Sequence, residues 1–158
     1  MNTRKKQIIV LQGPDNTGKT ATLKCLIQKL LPVAKKVADE GSFDSRMKNE
    51  SWDVWAIFEY HGRYIAITTR GDAEQFISKD IRDMEEAAKL NNFGIDTYIC
   101  AVHSYGKTVD YIKNKAKTLG TEAQVYGKAT YRCSNALNEK VLQAQINELQ
   151  ADFIFKNL

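Results

Sequence analysis

One stretch near the start restricts the fold more than any other. Four consecutive apolar residues, Ile8, Ile9, Val10 and Leu11, run almost directly into Gly13-Pro14-Asp15-Asn16-Thr17-Gly18-Lys19-Thr20. A short unbroken apolar run reads as a strand buried on both faces, as strands of a parallel sheet are. Beyond the glycine segment, Leu23, Leu26, Ile27 and Leu30 recur at helical spacing, with Pro32 just past them, which predicts a helix from Lys19 to Leu31. A buried strand that feeds a helix through a glycine loop calls for a sheet covered by helices.

The rest of the chain agrees. Val54 to Tyr60 and Tyr64 to Thr69 flank His61-Gly62, the pattern of an antiparallel hairpin. Helical spacing follows from Ala73 to Leu90, a buried-type strand from Ile95 to Val102, and a helix from Thr108 to Leu119. Ala123 to Tyr126 reads as a last core strand, continued in one reading by Ala129 to Cys133. A closing helix runs from Ser134 towards Phe155. Residues 34–53 are polar and read as a mobile connection holding a short helical turn. Strands alternating with helices predict a three-layer α/β/α arrangement with a mostly parallel sheet, in which only the first hairpin strand runs antiparallel.

Composition narrows the class. With 158 residues, 43% hydrophobic and 27% charged, the chain has the size of one domain of roughly 150 residues, expected to span 1–158. No apolar run reaches the roughly 18 residues of a membrane span, and no signal-peptide pattern opens the chain, so a cytoplasmic protein without a membrane partner is expected. Cys25, Cys100 and Cys133 are too far apart for a zinc ribbon and are expected to be reduced, mostly buried thiols. A net charge of +4 with interspersed acids suggests a solvated surface, and a nucleic-acid partner is not expected.

The segment from Gly13 to Thr20 fits G-x-x-x-x-G-K-[ST] at every fixed position and lies where that motif must lie. The two glycines let the backbone wrap a phosphate, so that N–H groups from Gly13 through Pro14, Asp15, Asn16, Thr17, Gly18, Lys19 and Thr20 to Ala21 line a cradle (Pro14 itself contributing only its ring). The helix N-terminus adds open N–H groups and the positive end of its dipole. Lys19 brings a point charge to the phosphate oxygens, and the Thr20 hydroxyl is a Mg²⁺ ligand. The chain thus resembles the P-loop NTPases. The wording L-Q-G-P-D-N-T-G-K-T is similar to the loop of thymidylate kinase-like nucleotide kinases, E-G-x-D-G-x-G-K-T-T, with Gln12 and Asn16 as departures. The resemblance implies a P-loop NTPase fold, a nucleoside triphosphate and Mg²⁺.

P-loop proteins usually keep a second acid near the metal. The hairpin argument puts the end of the Tyr64 strand, with Thr68, Thr69 and Asp72, on the rim of the glycine loop and sends Glu59 to the far rim. Asp72 is therefore the expected metal acid and Asp53 the reserve, with Thr69 a candidate for a metal-bound water. Asp72 and Gln75 also spell a helix capping box. Arg70 is the candidate for stabilising charge on a transferred phosphoryl group. Lys107 and Thr108 open a helix at the same rim, beside His103 and Ser104. Trp52, Trp55, Phe58, Tyr60 and Tyr64 read as hairpin packing or, alternatively, as a base-stacking platform.

Small GTPases share the order loop, helix, hairpin, helix, strand. Here Thr68-Thr69-Arg70-Gly71 replaces their D-x-x-G, and Ala101-Val102-His103-Ser104 stands where N-K-x-D would read guanine. ATP is the expected nucleotide by elimination. The first reading is a Mg²⁺-dependent ATP-binding protein, a slow ATPase or a nucleotide-dependent switch. A kinase acting on a small-molecule acceptor or a nucleotide is the alternative, although no R-x-x-R cluster or D-R-[YHS] element is present; by location the segment Ser42 to Lys48 is a candidate cover for an acceptor, with Arg46 reaching in. A non-enzymatic module for a phosphorylated ligand or nucleic acid is the third.

Overall fold

The computed structural model describes residues 4–130 and 135–158. The elements follow in the order β1 (Gln7–Gln12), α1 (Lys19–Leu30), β2 (Lys35–Asp39), α2 (Phe43–Lys48), β3 (Trp55–Tyr60), β4 (Arg63–Thr68), α3 (Glu74–Leu90), β5 (Thr97–Val102), α4 (Lys107–Thr118), β6 (Ala123–Gly127) and α5 (Ala136–Lys156). The six strands form one sheet in the order β2-β3-β4-β5-β1-β6. β4, β5, β1 and β6 are mutually parallel, and β3 runs antiparallel to both of its neighbours. The α/β class, the mostly parallel sheet and the single reversed strand are those read from the sequence.

Alternation along each strand builds two cores. Ile9 and Leu11 of β1, Ala56 and Phe58 of β3, and Ile65 and Ile67 of β4 face one way, under Leu23, Leu26, Ile27 and Leu30 of α1 and Ala151 and Ile154 of α5. Ile8 and Val10, Trp55 and Ile57, and Ala66 face the other way, under Ile77, Ile81 and Met84 of α3 and Ile112 and Ala116 of α4. Strands buried on both faces explain why β1 and β5 read as unbroken apolar runs.

Several expectations are corrected. Residues 34–53 are not a mere connection: the short helical turn expected there is present as α2, but β2 also lies within them. β2 contributes only Val37 and Ala38 to the core side. As an edge strand it needs only its ladder to β3, so its hydropathy gives no signal. β6 is likewise an outer strand, half-exposed along its length, and not a core strand. Ala129 and Thr130 do not continue it, and Tyr131, Arg132, Cys133 and Ser134 lie outside the described residues. The capping box at Asp72 does not form either. Ala73 is the N-cap of α3 and no side chain caps that helix, which leaves the Asp72 carboxylate to face elsewhere. No helix among the described residues is long and apolar enough to cross a membrane.

The hairpin turn is built as expected, with His61 and Gly62 both left-handed at φ 49° and 69°. This pairing suits the twist of a two-residue β-hairpin. The aromatic side chains serve the hairpin and its surroundings: Trp55 and Phe58 are buried in opposite cores, and Tyr64 stacks on Phe93. Trp52 alone of this group is largely exposed.

Candidate functional site at the carboxyl rim

The parallel strands β4, β5, β1 and β6 all end on one rim, which carries the glycine loop. α1 leaves β1 over one face and leads to the β2 edge, whereas α4 leaves β5 over the opposite face and leads to β6. The chain therefore diverges between β1 and β5. In open α/β sheets the crevice outside such a divergence is where ligands bind. Here that crevice lies between the glycine loop after β1 and the loop after β5.

The glycine loop is anchored at both ends. The Gly13 N–H donates to the Val102 carbonyl at 3.2 Å, and the Gln12 side chain donates to the Ser104 carbonyl at 2.8 Å. Asn16 and Gly18 take left-handed conformations, φ 56° and 89°. Gly18 is required twice, since an added Cβ would also lie 2.8 Å from the Asn147 side chain of α5. A Cβ at Gly13 would lie 2.9 Å from the Cβ of Lys128. No side chain caps α1, so the N–H groups of its first turn open onto the loop. Lys19 curls inward, donating to the carbonyls of Gly13 and Pro14 at 2.7 Å each. Burial lowers the pKa of its ammonium, while Asp15 and Asp72 act in the opposite sense.

Thr20 meets Asp53. Its hydroxyl lies 3.2 Å from Asp53 Oδ1, and the Thr69 hydroxyl donates to the same oxygen at 2.8 Å while accepting from the Val54 N–H at 3.0 Å. The reserve acid is thus the one in contact with the loop threonine. Asp53 reaches this rim because β3 is reversed, so that the start of β3 lies beside the end of β4 in the pairing Trp55 with Thr68. Glu59, paired with Tyr64 and Lys35, sits towards the opposite end, as expected.

Asp72 occupies a second group. Asp15, Asp72 and His103 bring their ligand atoms within 4.8 Å of one another. His103 Nδ1 is 3.0 Å from Asp15, and its Nε2 is 2.8 Å from the Asp72 carbonyl. Arg70 is not directed at the loop. It pairs with Asp80 at 2.6 Å and lies 3.6 Å from Glu40. Arg46 lies 3.8 Å from the same Glu40 and donates to the Asp53 carbonyl at 3.0 Å. The Thr108 hydroxyl accepts the His103 N–H at 3.2 Å, which makes the start of α4 a brace for the β5 loop. Cys100 is buried and Cys25 half-buried, with burial pushing the thiols up to about 12 and about 11, so neither supplies a thiolate.

Sequence reasoning passed over Lys128. It follows β6 and is 9% exposed, and its pKa is pushed down to about 8 by burial and then by the charge of Lys19. Nothing local in the sequence marks it, because its position depends on β6 lying parallel to β1 in register. No protein-family model, no curated protein and no solved structure matches the chain.

Proposed function

We propose that the chain is a P-loop NTPase-type protein that binds Mg²⁺–ATP on the loop from Gly13 to Thr20. In this reading it works as a slow ATPase or as a switch set by nucleotide binding. The observation that carries the reading is the loop itself: open N–H groups at the start of α1, two glycines in positions a Cβ would obstruct, and a buried Lys19 folded inward. Such a concavity of N–H groups and one ammonium suits a phosphate.

The donor set beside it fits magnesium. Thr20 and Asp53 present oxygen ligands 3.2 Å apart, and hard oxygen donors with one carboxylate are what Mg²⁺ takes alongside phosphate oxygens. When bound, the ion would neutralise charge on the phosphates. Thr69 would hold Asp53 in place through its hydroxyl. Asp72, with Asp15 and His103, offers a second oxygen-bearing flank that faces Lys19 electrostatically.

Hydrolysis or switching is favoured over transfer to an acceptor by the arginines. Arg70 is engaged with Asp80 and Glu40, and Arg46 with Glu40 and the Asp53 carbonyl. Neither stands free to clamp a second anion. The test is calorimetric titration of the wild type and Lys19→Ala with Mg²⁺–ATP. The wild type is expected to bind and the folded variant to lose the affinity. Undiminished affinity in folded Lys19→Ala would overturn the assignment of the loop.

A further inference from the structure

We propose that Lys128 is a second cationic ligand of the polyphosphate held by the glycine loop. The proposal rests on the phosphate reading above and adds a residue to that site from the opposite flank. Its backbone is fixed first. The Lys128 N–H donates to the Gln12 carbonyl at 2.7 Å, one step past the end of the β1–β6 ladder, so its Cα stands beside Gly13. Its stem then passes so close to Gly13 that a side chain there would meet it at 2.9 Å.

The side chain itself is poorly provided for. Among the described residues its ammonium has one hydrogen bond, to the carbonyl of the adjacent Ala129 at 2.5 Å. Among the described residues no carboxylate lies within ion-pair distance of it, and the charge that acts on it is another cation, Lys19. Lys24 shows the contrast. That ammonium is equally buried, but it donates to two carbonyls, of Arg46 and Asn49, with Asp53 and Glu50 acting favourably on its charge. Lys24 is satisfied by its own fold. Lys19 likewise has the carbonyls of Gly13 and Pro14, with Asp15 and Asp72 acting favourably on its charge. The unbalanced member of the pair is Lys128, desolvated beside a second cation. An anion with several charged oxygens relieves the pair by facing both. Inorganic tripolyphosphate and the phosphate tail of ATP share that chemistry.

A structural role would rest on the backbone bond to Gln12, which any residue but proline can make. The side chain can therefore be tested apart from it. Wild type, Lys128→Met, Lys128→Arg and Lys19→Ala are titrated with inorganic tripolyphosphate and Mg²⁺, and the ligand-free proteins are melted. Lys128→Met is expected to lose about tenfold or more in affinity, the size of a charge-assisted contact, with Lys128→Arg recovering most of it. Ligand-free Lys128→Met is expected to melt at or above the wild-type temperature, because it removes an unbalanced buried charge. Affinity of Lys128→Met within about twofold of wild type, or a clearly lower melting temperature of the ligand-free variant, overturns the proposal. If tripolyphosphate binding depends on Lys19 but not on Lys128, only this inference fails. A wild type that does not bind tripolyphosphate removes the phosphate reading and this inference together.

Discussion

At the scale of single residues, two carboxylates compete for one role, and distance separates them. Asp53 touches the Thr20 hydroxyl, whereas Asp72 is exposed and grouped with Asp15 and His103. Asp53→Asn is therefore expected to abolish the Mg²⁺-dependent part of ATP affinity, and Asp72→Asn and Glu59→Gln to leave it. Titrations with and without Mg²⁺ decide this, and the opposite pattern would return the metal to Asp72. A pH experiment isolates Lys128. Its folded pKa of about 8 lies below the ordinary lysine value of 10.5. Between those values the unfolded chain holds the proton that the folded chain has released, so stability rises with pH across that window. The facing groups are Lys19 from α1 and the uncharged Gln143 and Gln150 of α5, which bond Ala129. Lys19 and Lys24 are lowered in the same direction, and the Cys25 and Cys100 thiols are raised, which acts in the opposite sense. Wild type and Lys128→Met share all of these, so their difference isolates Lys128. The stability of wild type minus that of Lys128→Met should rise between pH 8 and 10 in denaturant titrations.

At the scale of elements, the site depends on how β4, α3 and α2 are fastened together. Asp80 of α3 is fully buried; burial pushes its carboxyl up, and the Thr68 hydroxyl at 2.6 Å and Arg70 pull it back. This pins α3 to the end of β4. Removing one partner of a buried pair strands the other, so Asp80→Ala should cost about 3 kcal/mol in equilibrium unfolding. Arg70 is thus a fastener by its contacts, although its position after a strand suggested a role towards the ligand. The same distinction explains what the sequence reveals and what it hides. The β1–loop–α1 unit is legible because all of its determinants lie within 25 residues, from Ile8 to Leu31. The hairpin is legible because His61-Gly62 sets its turn locally. β2 is not, since an outer strand rich in lysine needs only a neighbour's backbone. Asp72 looks like a cap in sequence because Gln75 is three residues on, but α3 begins one residue later, at Glu74. Lys128 is invisible because only the pairing of β6 with β1 brings it to Gly13.

At the scale of the whole molecule, the topology gathers on one rim what the sequence scatters from Gly13 to Lys128. Five of the loops involved are held to one another by side chains or backbone: Gln12 to Ser104, Gly13 to Val102, Lys128 to Gln12, His103 to Asp15 and Asp72, and Thr20 to Asp53. Unfolding would separate all of these groups, so a ligand that recognises them together binds only the folded chain. Such a ligand adds RT ln(1 + [L]/Kd) to stability, about 2.7 kcal/mol at 100 times Kd. Millimolar Mg²⁺–ATP is accordingly expected to raise the melting temperature. Adenosine should not, because the loop offers N–H groups and ammonium ions to phosphate oxygens and the nucleoside has none. Tripolyphosphate should reproduce most of the ATP shift, and that shift should shrink in Lys19→Ala. Differential scanning fluorimetry across these ligands measures each contribution, and an equal rise with adenosine alone would move recognition from the loop to a pocket for the base.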